Sequence, residues 1–388
     1  MAFVNLHDVT VRQRMAIVTC ILSLLAFVAT LLPILAKTYR NAEVSSLAWF
    51  EDGQRLALTS TYFDDDFMTD IRIVDSHTGN ELAQYGYPGT LNAIAVSPDV
   101  RLLAIGREDE RVEVFDLKHS AHLFFRLENK LRHPTSALSF AADSEYLAAV
   151  TYRYVEIWRI TDQEARFIRV VDGHRAQFGN HNLFVLSGDG DIRALELDTR
   201  GIQKTRQVRT SEPIKKMTVS ARGDRIVAQS ASDRLAVIDT AANDSFIFLD
   251  MDSAHPTAFS IDPSGKRVVC AADDKKVRVF RATDGSLEKR YDIQLNVELL
   301  GPTPDGKFSI SPDGKLLAVA GGALHASPDK RYPEFIAILD IETGRIVFTS
   351  GSSSKMSLAV SLVTITAAIV SFGFYAFSRR LQHRPIQT

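Results

Sequence analysis

The chain has 388 residues, a formal charge of -2 from 45 Lys and Arg against 47 Asp and Glu, and 45% apolar residues. That length and apolar share exclude a disordered chain, and the near-zero charge excludes a protein built to coat a polyanion. Two cysteines, Cys20 in an apolar run and Cys270 in a predicted strand, give no disulfide framework and no metal-ligand spacing.

In chain order, a short tail over residues 1–14 carries Arg12 and Arg14 and leads into residues 15–36, 22 positions without a charge. A helix needs about 20 such residues to cross a hydrocarbon core, so the segment is predicted to be a transmembrane helix. The alternative is a cleaved signal peptide. Its apolar core would run only about 7 to 15 residues, which favours an uncleaved anchor. Near the other end, residues 356–377 form a second uncharged stretch, followed by a basic tail over 378–388 with Arg379, Arg380 and Arg384. The pattern is that of a stop-transfer helix. Lys and Arg near the span ends favour the two tails over the flanks facing the middle, which carry Lys37, Arg40, Arg345 and Lys355. Both termini are therefore expected in the cytoplasm, with the domain between the spans extracytoplasmic, in a periplasm or lumen.

Residues 44–350 repeat one unit. Its first turn recurs at Asp52-Gly53, Pro98-Asp99, Asp143-Ser144, Gly179-Asn180, Arg222-Gly223, Ser264-Gly265 and Asp313-Gly314. A later apolar run starts at Ile71, Val112, Val155, Ile192, Leu235, Val277 and Ile336, spacings of 41, 43, 37, 43, 42 and 59, the last stretched by an insertion. Alternation such as Val277-Arg278-Val279 predicts half-buried strands, and the Asp and Gly pairs predict tight turns. With a fourth run closing most units, each reads as a four-stranded antiparallel meander. A meander alone cannot bury its faces. A period near 42 with four strands predicts radial stacking into a propeller. The fourth unit, whose first strand must be HRAQFG (174–179), is the least regular, and on pattern alone six or eight units stay open.

The stretches 258–285 (AFSIDPSGKRVVCAADDKKVRVFRATDG) and 95–117 (AVSPDVRLLAIGREDERVEVFDL) resemble the WD40 repeat family. The likeness extends over about 305 residues, with no Trp-Asp dipeptide and a Gly-His pair only at Gly173-His174. It implies an all-β fold, a seven-bladed β-propeller of four-stranded antiparallel blades, here flanked by the N-terminal and C-terminal transmembrane helices. It also implies that both ends of the propeller leave one face at one seam, and that the loops joining second and third strands open on that face. Two of those loops are long and belong to the blades meeting at the seam. Their candidate partner-binding residues are Tyr62, Phe63, Asp64, Asp65, Asp66 and Phe67 in the first, and His325, Lys330, Arg331 and Tyr332 in the second.

Arg200, Lys204, Arg206, Arg209, Lys215 and Lys216 form a candidate basic patch for anionic lipid or an acidic partner, although edge strands also carry such charges to block pairing. Asp64 to Asp66 lack the spacing of a calcium loop, and Gly188 to Asp191 fall where a hairpin turn is required. His119 and His122 do not share a strand face. With no phosphate-binding loop and no nucleophile elbow, no catalytic residue, metal or cofactor is expected. The expected function is a non-catalytic, membrane-tethered interaction scaffold or accessory subunit. Its partners would be the bilayer and other membrane proteins, not nucleic acid or an identified small molecule. The alternative is an extracytoplasmic enzyme or ligand binder that uses the central channel.

Overall fold

A computed structural model describes residues 42–62, 68–119, 122–128, 133–198, 201–292, 307–321 and 335–351. Among them, seven four-stranded antiparallel sheets each use four consecutive strands in sequence order. Blade one comprises Ala42–Trp49, Arg55–Tyr62, Met68–Asp75 and Glu81–Pro88, and blade seven comprises Phe308–Ile310, Leu316–Gly321, Phe335–Asp340 and Ile346–Gly351. The fourth unit is a full blade, opening with Arg175–Gly179 inside the HRAQFG stretch, so the count is seven. The one helical element among the described residues is a 3-10 turn, Leu117–His119. No described helix is long and apolar enough to cross a membrane, and the spans expected at 15–36 and 356–377 lie outside the described residues.

What closes the ring is visible in the second strands. Leu102 and Ala104 pack towards blade three while Leu103 and Ile105 pack towards blade one. Leu183 and Val185 face blade three while Phe184 and Leu186 face blade five. Successive side chains leave a strand on opposite faces, and both faces are covered by a neighbouring blade, which is why these runs are continuously apolar. The buried residues fall into seven clusters, one for each pair of neighbouring blades. The seventh joins Val44, Leu56 and Leu58 of blade one to Leu316, Ala318 and Ile338 of blade seven. Among the described residues, blade seven is built from its own four strands, and side chains pack across the seam.

The third strand of blade one alternates in burial as the half-buried reading expects, while those of blades two and six depart from it. Alternation marked Arg278 as solvent-facing, yet it is 1% exposed, and Glu113 at the matching place in blade two is 2% exposed. Stacking covers the polar face as well as the apolar one, so each charge needs a partner. The Arg278 guanidinium donates to both carboxylate oxygens of Asp274, at 2.6 and 3.0 Å.

Register fixes the direction of the blades. Ala42 pairs with Tyr62 and Met68 with Pro88, while Gly321 pairs with Phe335 and Phe335 with Gly351. A first strand therefore begins, and a fourth ends, at one edge of the blade. The opposite edge carries the first turns, and a Cβ on Gly53 of blade one would lie 3.7 Å from Asp313 Cγ of blade seven, so these edges share a face. Ala42 and Gly351 consequently lie on the other face, together and at the seam.

Candidate functional site

The face bearing Ala42 and Gly351 also bears the roots of the two long loops, Tyr62 and Met68 in blade one and Gly321 and Phe335 in blade seven. These roots belong to blades that pack directly on each other. Phe63 to Phe67, and the loop holding His325, Lys330, Arg331 and Tyr332, lie outside the described residues, as does the side chain of Tyr62.

The basic run does not form one patch. Arg200 lies outside the described residues. Lys204 is exposed on the outermost strand of blade four, Gly201–Val208, cross-strand from Glu196. Arg206, on the same strand, donates to Asp244 of blade five at 2.6 Å, and the Arg209 backbone N–H donates to the same carboxylate oxygen at 3.1 Å. Lys215 donates to Asp233 at 3.0 Å. Lys216 lines the central channel instead, where burial, with help from the nearby Arg175 cation, pulls its pKa down. Charges that are contiguous in sequence thus serve the rim, a blade-to-blade tie and the channel.

Asp244 is 4% exposed within the Asn243-Asp244-Ser245 triplet, whose first two residues take left-handed φ values of 56° and 58° in a turn. Gly188 to Asp191 form the expected hairpin turn, with Gly190 at φ 87° donating its N–H to Ser187 at 3.1 Å. Among the described residues, no group of three or more His, Cys, Asp or Glu could hold a metal ion. His119 ends the 3-10 turn and His122 opens the next strand, His122–Glu128. Cys270 is fully buried, and desolvation pushes its thiol well above the usual range, so it is not an activated nucleophile. Burial, reinforced by Arg175, holds His174 below the usual imidazole value.

The first strands of all seven blades surround a cavity of about 390 Å³ on the propeller axis. They are tied to one another across blades. Trp49 Nε1 donates to the Ser309 carbonyl at 3.1 Å, and the Phe178 N–H donates to Ser139 Oγ at 3.0 Å. Gln177 accepts from the Val219 N–H at 2.9 Å and donates to its carbonyl at 3.3 Å. Arg175 and Lys307 join Lys216 in lining this cavity. Sequence reasoning missed both. The signal available was their shared place at the start of a first strand.

Residues 249–281 match the family model described as WD domain, G-beta repeat. That stretch reaches from the end of blade five through the third strand of blade six, the region of strongest resemblance. Curated relatives include the small ribosomal subunit protein RACK1 of Schizosaccharomyces pombe, 34% identical over 82 residues, and that of Caenorhabditis elegans, 30% identical over 79 residues. The aligned segments are 21% and 20% of this chain and span only 25% and 23% of those proteins. Among solved structures, Kluyvelomyces marxianus Hsv2 aligns with a TM-score of 0.56 and 15% identity over 79% of this chain and 96% of that one. The β-propeller domain of Myceliophteria thermophila Cps50 (Swd1) aligns with a TM-score of 0.54 and 14% identity, again over 79% and 96%. Seven four-stranded blades and a repeat-family match within the sixth define the class, a seven-bladed β-propeller. Residues 249–281 form a WD40 repeat by that match, and the chain is similar in sequence to WD40 repeat proteins over that region.

Proposed function

We propose that the protein is a non-catalytic propeller tethered to a membrane by helices at 15–36 and 356–377, acting as an interaction scaffold or accessory subunit of a membrane complex. The observation that carries this reading is the shared face of Ala42 and Gly351. Each stands a few residues from an uncharged segment long enough to span a bilayer. Two short tethers at one seam would hold that face towards the lipid. The loops with Tyr62 to Phe67 and with His325, Lys330, Arg331 and Tyr332 then offer the partner-binding surface. The propeller is extracytoplasmic and both tails are cytoplasmic, following the distribution of Lys and Arg. Partners are membrane or membrane-associated proteins. The RACK1 relatives are named as components of a ribosomal subunit, which supports a role inside an assembly rather than a solitary catalyst.

The test has two parts. Alkaline carbonate should leave the full-length protein in the membrane pellet, and protease added outside sealed vesicles of known orientation should reach only one side. Crosslinking followed by detergent purification should recover a stoichiometric partner, and replacing Arg331 and Tyr332 by Ala should reduce that recovery. A protein extracted by carbonate, or one that purifies alone with a stoichiometric metal or pigment, contradicts the proposal.

A further inference from the structure

The outer rim changes character at the seam. Among the described residues, six of the seven exposed large hydrophobic side chains lie on the outermost strands of four consecutive blades: Phe248 of blade five, Leu287 of blade six, Ile346 and Val347 of blade seven, and Leu82 and Tyr85 of blade one. The Arg234 guanidinium covers Phe248 at 3.7 Å, and Leu287 shares its strand with four charged residues. The two seam strands differ. Ile346–Gly351 carries no charge, and Glu81–Pro88 carries only Glu81, at its start. The outermost strands of blades two, three, four and six each carry at least two. Charges on an edge strand block association, and the blades at the seam do without that protection. Register sets the two strands at one height. Val74 pairs with Glu81 and Ile73 with Ala83, which leaves Leu82 in a bulge, while Leu339 pairs with Ile346 and Ile338 with Phe348, which leaves Val347 at the same place. A Cβ on Gly79 would meet the Phe348 ring, so the turn entering the outermost strand of blade one touches that of blade seven.

Leu82 is 53% and Ile346 45% exposed, and an uncharged apolar edge of this kind marks a protein contact. We propose that it is the interface for a second copy of this chain, two propellers meeting rim to rim about a twofold axis parallel to the strands. Charge complementarity points to that partner. Glu81 stands at the rung of Ile346, and Arg345 one place before it. Both are exposed, and neither is ion-paired among the described residues. A twofold parallel to the strands preserves height and sets blade seven of one copy against blade one of the other. Arg345 then faces Glu81 of the second copy, and in a twofold interface each such contact is made twice. Leu82 meets Ile346 and Val347 at the same level. No like charges are opposed there, whereas the same operation at blade four would set Lys204 and Arg206 against their own copies. The inference needs only the propeller rim and stands apart from the tethering proposed above.

The test is the mass of the full-length protein in mild detergent, followed by light scattering across a dilution series. A dimer is expected. Leu82→Glu combined with Val347→Glu should raise its dissociation constant by about tenfold or more, since apolar contacts at the centre of the interface become charges. Tyr152→Glu removes an aromatic side chain that is 77% exposed on a loop of blade three, and should leave the constant unchanged. Glu81→Arg and Arg345→Glu should each weaken the dimer, and the two together should restore it. Melting temperatures should stay close to wild type because these side chains are exposed; should the double glutamate variant fail to fold, the charge exchange decides. A benzophenone side chain in place of Val347, in a mixture of isotopically light and heavy copies, should give mixed-isotope peptide pairs that join blade seven to blade one. A monomer at every concentration, a dimer that survives Leu82→Glu with Val347→Glu, or capture at Val347 of only a different protein or another segment of the same copy would overturn the proposal.

Discussion

If the seam between blades seven and one is an ordinary packed interface, truncating it should cost as much as truncating any other. Leu58 is fully buried in the cluster shared by blades one and seven, and Leu147 is fully buried in the cluster shared by blades two and three. Changing Leu to Ala removes three carbons, about 2.4 kcal/mol of transfer free energy at roughly 0.8 kcal/mol per carbon. A residual cavity adds to this, for a total of about 3 kcal/mol. Urea unfolding of Leu58→Ala and Leu147→Ala, followed by circular dichroism, should give losses within about 1 kcal/mol of each other, the scatter expected from differing collapse around the site. A loss under about 1 kcal/mol for Leu58→Ala, beside about 3 kcal/mol for Leu147→Ala, would mean that the ring is not closed by packing at that seam.

Other outcomes follow from single sites. Gly79 has φ 68° and a Cβ there would lie 1.9 Å from the Phe348 ring of blade seven, whereas Gly89 has φ 92° with nothing within 4 Å. Gly79→Ala should therefore lower the melting temperature clearly more than Gly89→Ala, which carries only backbone strain of about 1 to 2 kcal/mol; equal losses would contradict the contact. The Arg278 hydrogen bonds hold Asp274 below the usual carboxylate range. A lowered folded-state pKa contributes stability above the unfolded value, near 3.8, and loses it as pH falls through the folded one. Asp274→Asn should cost about 3 kcal/mol at pH 7, with the gap to wild type narrowing below about pH 4; a gap independent of pH would refute the pairing. In a Cys20→Ser background, Cys270 should resist a thiol-reactive disulfide reagent at pH 8 until denaturant is added, and rapid reaction of the folded protein would contradict its burial.

The blade pattern was legible because turn stereochemistry is local. All seven first turns hold a residue with positive φ: Gly53 at 66°, Val100 at 61°, Ser144 at 62°, Asn180 at 57°, Gly223 at 71°, Gly265 at 72° and Gly314 at 72°. In blade two the left-handed residue is Val100, one place beyond the Pro98-Asp99 pair that marked the turn, and a β-branched residue there carries strain that no sequence rule would choose. What depends on a neighbouring blade was not legible. Alternation could not reveal that Arg278 is covered by a second sheet, because the covering residues are distant in sequence. The basic run from Arg200 to Lys216 reads as one patch only until the bend from the rim of blade four into the axis of blade five is known. The channel set escaped for the opposite reason, since Arg175, Lys216 and Lys307 are far apart in the chain and meet only when the ring closes.

Ring closure with both ends at one seam is most directly measured by site-specific photo-crosslinking. A benzophenone side chain in place of Phe348, on the outermost strand of blade seven, should capture the turn of blade one around Gly79 in the full-length protein, seen by peptide mass spectrometry. Crosslinks confined to blades six and seven, with nothing from residues 42–90, would describe an open arc and contradict the account.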